Sequence, residues 1–341
     1  MSVSAYLGHG AARFAAAYTV IVCCVVFCAA ARGADDDALV GPFFPYRAFQ
    51  GLPAQSIEAR GGVLRVAFGP GELDLPHTAV LAWVSRCVRA VANYYDKLPE
   101  SGARLLIVPT SGAGVRGGTT YGYRGAASRI LLGRDTTAAQ LDEDWVLVHE
   151  LVHHGMPNLE DRHHWMEEGL ATYVEPIARA QVGELDVQTV WGDLVHGLPK
   201  GLPQTGDTGL DRTPTWGRTY WGGALFYLLA DIEIRRRTDN RRGLQDALRA
   251  LVAAGGNIAE SWPVQKVLDA ADAGTGTHVL AELYDKMKET PVETDLDKLW
   301  RELGVSMRNK AVSFDDTAPL AEIRRAITAA PADKADINVK R

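Results

Sequence analysis

The chain has 341 residues, 47% hydrophobic and 23% charged, the composition of an ordinary globular protein able to bury a sizeable core. Its net charge of -6 and isoelectric point near 5.9 supply no global basic field, which argues against nucleic acid as a partner. The length suits two domains or one large two-lobed one.

The first stretch reads as a leader. Arg13 precedes the uncharged run Phe14 to Ala31, which contains Thr19-Val-Ile-Val-Cys-Cys-Val-Val-Phe-Cys28 and gives way to Asp35-Asp-Asp37. A basic flank, an apolar centre and an Ala-x-Ala exit describe a secretory signal peptide cleaved near Ala31 to Ala34, and so an exported protein, periplasmic or secreted. The alternative is an uncleaved anchor, because the run is just long enough to span a bilayer; membrane association is expected only then. Cys23, Cys24 and Cys28 leave with the leader. Cys87 then has no internal partner, and its apolar run from Val80 to Val88 places it in the core.

The segment Leu39 to Glu72 mixes Gly, Pro and aromatics, and within it Gly62 to Phe68 alternates like a strand. From His77 to Leu98 the apolar positions Val80, Leu81, Val84, Val88, Val91 and Tyr95 repeat at helical spacing. Arg104 to Val108 is a short β-run. Gly112 to Gly125 reads as a glycine-rich loop leading into Ser128-Arg-Ile-Leu-Leu132, a strand just before the metal helix. Zinc peptidases have an edge strand at such a point, where extended peptides pair through main-chain hydrogen bonds, and the alternative is a plain β-hairpin with a flexible tip. No Gly-Lys-Ser/Thr follows the glycines, so a phosphate cradle is not supported.

The chemistry centres on Trp145-Val-Leu-Val-His149-Glu150-Leu-Val-His153-His154-Gly155. Two histidines four residues apart lie one turn above each other on a helix and can hold one metal ion. Glu150 sits beside that face, placed to take a proton from a water on the metal. The flanking Trp145, Val146, Leu147, Val148, Leu151 and Val152 would bury this helix on nearly all sides, and Gly155 and Pro157 supply a stop, with Gly155 as a left-handed cap. A His-x-x-Gly-x-x-His continuation would need glycine at 156 and histidine at 159, where the chain has Met156 and Leu159. The third ligand is therefore sought downstream, and Glu168 in Trp165-Met-Glu-Glu-Gly-Leu-Ala-Thr-Tyr173 is the candidate, with Glu167 its competitor. Gly169 in mid-helix costs about 1 kcal/mol relative to Ala, a cost that close packing against the metal helix would justify.

Beyond this point helical spacing returns over 163–181, 216–237, 244–253, 264–271, 279–288, 296–303 and 320–328. Gly183 to Thr215 reads as a long surface loop able to overhang a cleft, and Pro331 to Arg341 as a frayed tail. The expected organisation is a leader over 1–34, a small α+β lobe over 35–160 with a mixed sheet and the metal helix, a mainly helical lobe over 161–330, and the tail.

His-Glu-x-x-His followed by Trp-x-x-Glu-Gly-x-Ala-x-Tyr resembles the gluzincin metallopeptidases, the group containing thermolysin and the alanyl and glycyl aminopeptidases. The stretch Thr219-Tyr220-Trp-Gly-Gly-Ala-Leu-Phe-Tyr is similar to the Tyr-x-x-Gly-Ala segment of the aminopeptidases, most of all to the glycyl aminopeptidase branch. The resemblance covers roughly residues 100 to 255. It implies a gluzincin-like fold, zinc as cofactor held by His149, His153 and Glu168, Glu150 as general base, Tyr220 as oxyanion donor, and a peptide or protein substrate. The Glu-Gly pairing favours Glu168 over Glu167. The alternative is a non-hydrolytic zinc- or peptide-binding protein that keeps the fold. The sequence departs from the aminopeptidases at one point. They carry an upstream glutamate that grips the substrate's free amine, whereas here no Asp or Glu lies between Glu100 and Asp135 and Arg104, Arg116, Arg124, Arg129 and Arg134 do. That points away from aminopeptidase specificity, toward an endopeptidase or an enzyme preferring acidic groups. His154, His163 and His164 are expected at the surface or behind the ligands, with Asp161 or Glu175 orienting the metal histidines.

Overall fold

A computed structural model describes residue 39 and residues 41–309 and 311–330. The stretches read from sequence as a leader and a tail lie outside them. Among the described residues no helix is long and apolar enough to cross a membrane.

A short helix α1 (Tyr46–Gly51) precedes strands β1 (Ala54–Ala59) and β2 (Gly62–Phe68), then helix α2 (His77–Tyr95), β3 (Arg104–Thr110), β4 (Val115–Tyr121) and β5 (Ala127–Gly133). The five strands form one mixed sheet in the order β1-β2-β3-β5-β4, with β2, β3 and β5 parallel and the outer strands antiparallel. Alternation along β3 serves two cores. Leu105 and Ile107 face the main core with α2, while Leu106 and Val108 face Leu39, Phe44, Tyr46 and Phe49 on the other side. The Arg129 guanidinium, from β5, straps that N-terminal cover down by donating to the carbonyls of Leu39 (3.1 Å) and Gly41 (2.6 Å).

This arrangement corrects the reading of residues 112–132. Seven residues of the glycine-rich stretch form β4, and β5 runs inside the sheet between β3 and β4. The edge is therefore β4. It forms because it pairs antiparallel with β5 across a short connection, a local hairpin that its glycine-rich composition does not advertise.

The rest is helical: α3 (Ala138–Asp142), the metal helix α4 (Val146–Val152), α5 (His164–Gln181), α6 (Val187–Gly197), α7 (Gly223–Arg237), α8 (Leu244–Ala253), α9 (Val264–Thr275), α10 (Val279–Met287), α11 (Leu296–Leu303) and α12 (Ala321–Thr328), with a hairpin of β6 (Val305–Arg308) and β7 (Ala311–Phe314) between the last two. The fold is α+β, as the pattern of elements implied. The stretch 183–215 is not one long loop, because α6 buries Val190, Trp191 and Leu194 on one face and caps its start with the Asp186 carboxylate. The remaining segment after it is held in place by a buried ion pair between Arg218 and Asp207 at 2.8 Å and by Asp211, which accepts from Trp165 Nε1 (2.7 Å) and Tyr284 OH (3.0 Å) and contacts His163 Nδ1 (3.0 Å). The main core runs without a break from the sheet through α2, α4 and α5 to α9 and beyond.

Candidate metal centre

Helix α4 begins where Asp144 accepts the backbone N–H groups of Val146 (3.2 Å) and Leu147 (3.1 Å). Leu147, Val148, Leu151 and Val152 are buried. His149 and His153 sit one turn apart on the remaining face, 5% and 9% exposed, with ring centroids 5.0 Å apart. The α-helix stops at Val152 and a tighter turn carries His153 to Gly155. Gly155 is not the left-handed cap expected for it. It lacks a side chain because the Tyr95 ring packs there, where a Cβ would stand 2.5 Å from Tyr95 Cε1.

Helix α5 brings Glu168 to the histidines. Its Oε2 lies 3.1 Å from His149 Nε2 and 3.8 Å from His153 Nε2, and the three ligand atoms fall within 4.8 Å of one another. Glu167 points elsewhere, accepting from the backbone N–H of Leu159 (3.0 Å) and contacting His164 Nδ1 (3.1 Å). Gly169 packs against α7 rather than the metal helix: a Cβ there would come within 2.4 Å of Gly223 Cα and C. That backbone contact fixes the distance between α5 and the segment that carries Tyr220.

Tyr220 lies in a π-helical turn, Gly217–Gly222, leading into α7. Burial, then the negative charges of Glu168 and Glu150, push its hydroxyl above the ordinary phenol range, so it stays protonated and able to donate. On the opposite side β4 meets Glu150. Thr120 Oγ1 donates to Glu150 Oε2 at 2.7 Å, and Gly118 lies so near that a Cβ would stand 2.6 Å from Glu150 Cγ. Sequence reasoning missed both residues, since each falls in the stretch read as a loop.

Electrostatics differentiate the groups. Burial opposes charge on Glu168, but the His149 hydrogen bond and the nearby imidazoles hold its carboxyl down to about 2. Burial also opposes protonation of His149, yet contact with Glu168 raises it overall, while burial drives His153 down to about 4. Burial pushes Glu150 up to about 7 against the lowering effects of His149 and the Thr120 hydrogen bond.

The remaining histidines and acids divide cleanly. His154 is buried and contacts Ser128 Oγ at 2.8 Å, His163 is buried against Asp211, and His164 is exposed with Nε2 at 3.5 Å from Glu168 Oε1. Glu175 makes an ion pair with Arg179 at 2.9 Å, and the buried Nδ1 of His149 has no hydrogen-bond partner among the described residues. Glu175 acts on His149 through its charge, whereas the charge of Asp161 acts on His164. Three of the five arginines do structural work: Arg129 straps the N-terminal segment, Arg104 lies over the Tyr46 ring, and Arg134 pairs with Asp74 and Glu72. Cys87 is buried, as its apolar run implied.

No family model matches the chain, and no curated protein matches it in sequence. Solved structures do. An aminopeptidase N family protein from Idiomarina loihiensis superposes with a TM-score of 0.57 at 16% identity, over 75% of this chain and 50% of that one. The likeness is one of fold. An M1 zinc metallopeptidase from Deinococcus radiodurans gives a TM-score of 0.48 at 15% identity, over 72% of this chain and 53% of its own. The chain thus spans about half the length of the solved structures it matches.

The donor set itself fits zinc. Two imidazole nitrogens and one carboxylate oxygen are an ordinary catalytic-zinc set, and tetrahedral ligands at about 2.0 to 2.1 Å from an ion stand about 3.3 Å apart. The separations of 3.1 and 3.8 Å bracket that spacing.

Proposed function

We propose that this chain is an exported zinc-dependent peptidase that hydrolyses peptide bonds, with His149, His153 and Glu168 as the metal ligands. The observation that carries the reading is the convergence of these three groups from α4, the tighter turn that follows it and α5, with the Glu150 carboxylate beside them and the edge strand β4 alongside. Zinc bound there supplies Lewis-acid polarisation of the scissile carbonyl and a lowered pKa for a water. Glu150 takes the proton of the attacking water and hands it to the leaving amine. The Tyr220 hydroxyl donates to the oxygen that gains charge, a contribution of about 2.7 to 4 kcal/mol for donors of this kind. A substrate in extended form would lie along β4 by main-chain pairing. That strand carries no acidic residue, which favours cleavage within peptides over recognition of a free terminal amine. With Arg104, Arg129 and Arg134 engaged elsewhere, only Arg116 and Arg124 of the five remain to support a preference for acidic groups. Export rests on the leader sequence.

The test is metal content and cleavage measured together. Purified protein should hold about one zinc per chain and cleave a peptide library, with both lost to a chelator. Glu150→Gln should retain the zinc and lose cleavage; unchanged cleavage would refute the role of Glu150. Absence of zinc at stoichiometric supply would refute the peptidase reading. Zinc retention with no cleavage of any peptide would favour a binding protein instead. An N-terminally acetylated peptide cleaved as fast as its free counterpart separates endopeptidase from aminopeptidase action.

A further inference from the structure

A line of hydrogen bonds runs from Glu150 into the protein. Thr120 Oγ1 lies 2.7 Å from Glu150 Oε2, Ser128 Oγ lies 3.0 Å from Thr120 Oγ1, and His154 Nε2 lies 2.8 Å from Ser128 Oγ. Three elements contribute: Thr120 comes from the edge strand β4, Ser128 is its directly opposed residue on β5, and His154 follows the metal helix. Ser128 is fully buried and His154 is 3% exposed, so bulk water does not compete for these contacts.

The bookkeeping of hydrogens gives the line a direction. An ionised carboxylate only accepts, so Thr120 must donate to Glu150. Its single hydrogen is then spent, so its oxygen accepts from Ser128. The Ser128 hydrogen is spent in turn, and the His154 Nε2–H is the donor that completes the set. Thr120 Oγ1 also stands 2.9 Å from the Glu150 carbonyl oxygen, but the carboxylate contact is shorter and assisted by charge. Each donor in the line is thereby assigned one acceptor. The other carboxylate oxygen, Oε1, lies 2.7 Å from where a Gly118 Cβ would stand, so glycine at this point of the strand keeps it uncovered.

We propose that Thr120, fixed in turn by Ser128 and His154, is a positioning residue that locks Oε2 of Glu150 and leaves Oε1 as the oxygen that exchanges the proton. The inference rests on the peptidase reading above. A neutral hydroxyl from the substrate-binding strand thus couples the strand's place to the orientation of the base. A displacement of β4 away from α4 would release the carboxylate, whose side chain would otherwise sample several rotamers.

The pair Thr120→Val and Thr120→Ser tests this, because valine keeps the shape but removes the hydroxyl while serine keeps the hydroxyl and loses only the methyl. In Thr120→Val we expect kcat to fall about 10- to 100-fold, the size of effect known for a misplaced catalytic group, with KM changed less than about twofold. Thr120→Ser should stay within about threefold of the parent in kcat, and Ser128→Ala should lose about 3- to 10-fold by freeing Thr120 one step removed. A readout independent of turnover is calorimetric affinity for a phosphinic peptide, whose tetrahedral oxygen needs a correctly aimed Glu150. It should weaken in Thr120→Val by the same factor as kcat, while zinc content and the thermal midpoint hold. If Thr120→Val fails to fold, Ser128→Ala carries the same test. Full kcat and full phosphinate affinity in the folded valine and alanine variants would overturn the inference while leaving the peptidase reading intact. A parent protein that holds no zinc and cleaves nothing would overturn both.

Discussion

The contact between Gly169 and Gly223 sets the relative position of Glu168 and Tyr220, and an alanine at residue 169 tests that claim directly. The added Cβ would lie 2.4 Å from Gly223 Cα and C and 2.9 Å from Ala224 N, all backbone atoms with no rotamer to yield. Ordinary contact begins near 3.4 Å, so the two helices must part by about 1 Å. Overpacking of this kind costs about 1 to 3 kcal/mol, and a contact made only of backbone belongs at the upper end. Alanine returns about 1 kcal/mol through its better helix propensity, leaving about 2 kcal/mol of net destabilisation. That should lower the thermal midpoint by about 4 to 8 °C. An opening of about 1 Å between Glu168 and Tyr220, the proposed metal ligand and oxyanion donor, should lower kcat/KM up to about 100-fold. Differential scanning calorimetry and peptide turnover measure the two effects. Gly223→Ala, which would place its Cβ 2.3 Å from the Trp165 carbonyl oxygen, should behave alike. Gly102→Ala, in open space, should be neutral in both assays. A Gly169→Ala protein with parental midpoint and turnover would refute the claim that this backbone contact sets the site.

Other outcomes follow from the electrostatics. Because contact with Glu168 holds His149 above its ordinary range and burial holds Glu150 up to about 7, while His153 is already neutral near pH 6, loading the metal site at pH 6 should release at least one proton. Affinity for zinc should accordingly rise with pH through the His149 titration. Calorimetry in two buffers of different ionisation enthalpy measures this, and pH-independent binding would contradict it. Asp144 is pushed up to about 6 by burial, in spite of its two backbone donors, from 3.8. The folded state therefore keeps a proton that the unfolded chain has released. Its contribution to stability is full below pH 3.8 and is lost as pH rises through about 6, a change of about 3 kcal/mol at most. Asp144→Asn should flatten this part of the stability curve obtained from denaturant titrations between pH 4 and 6.5. Burial raises the Cys87 thiol well above its usual range, so a thiol reagent should leave it unmodified in the folded protein and react once the chain is denatured. Rapid labelling of native protein would place Cys87 outside the core.

What the sequence made legible was whatever repeats at short range. The spacing of His149 and His153, the apolar stripe of α2 and the run through Trp165 to Gln181 each announce a helix face, and α5 even tolerates Pro176 in its interior. Glu168 could be named as a candidate because it sits in a recognisable Glu-Gly pair on such a helix, and the structure brings it to the two histidines. Other features depend on pairing and packing that local composition does not show. Strand β4, with Gly117 and Gly118, has loop-like composition, and it becomes a strand only by pairing with β5 and lying flush on Glu150. Helix α6 is short and sits among glycines and prolines, so its buried face of Val190, Trp191 and Leu194 was masked by its neighbours. The charges of Arg104, Arg129 and Arg134 could be counted but not aimed: two serve the N-terminal cover and one a pair of surface carboxylates.

The π-helical turn at Gly217–Gly222 has a consequence for how this gene can vary. A π turn carries one more residue per turn than the helix that follows it. Removing one residue there would let the turn tighten to α-helical pitch, and everything before it would rotate by about 100° relative to α7. The core face of α7 would survive such a deletion, so the protein could fold, but Tyr220 would swing off the metal site. Length polymorphism in this hexapeptide is therefore a more damaging kind of change than most substitutions within it, and homologues that differ by one residue here would be expected to have lost or relocated the phenol.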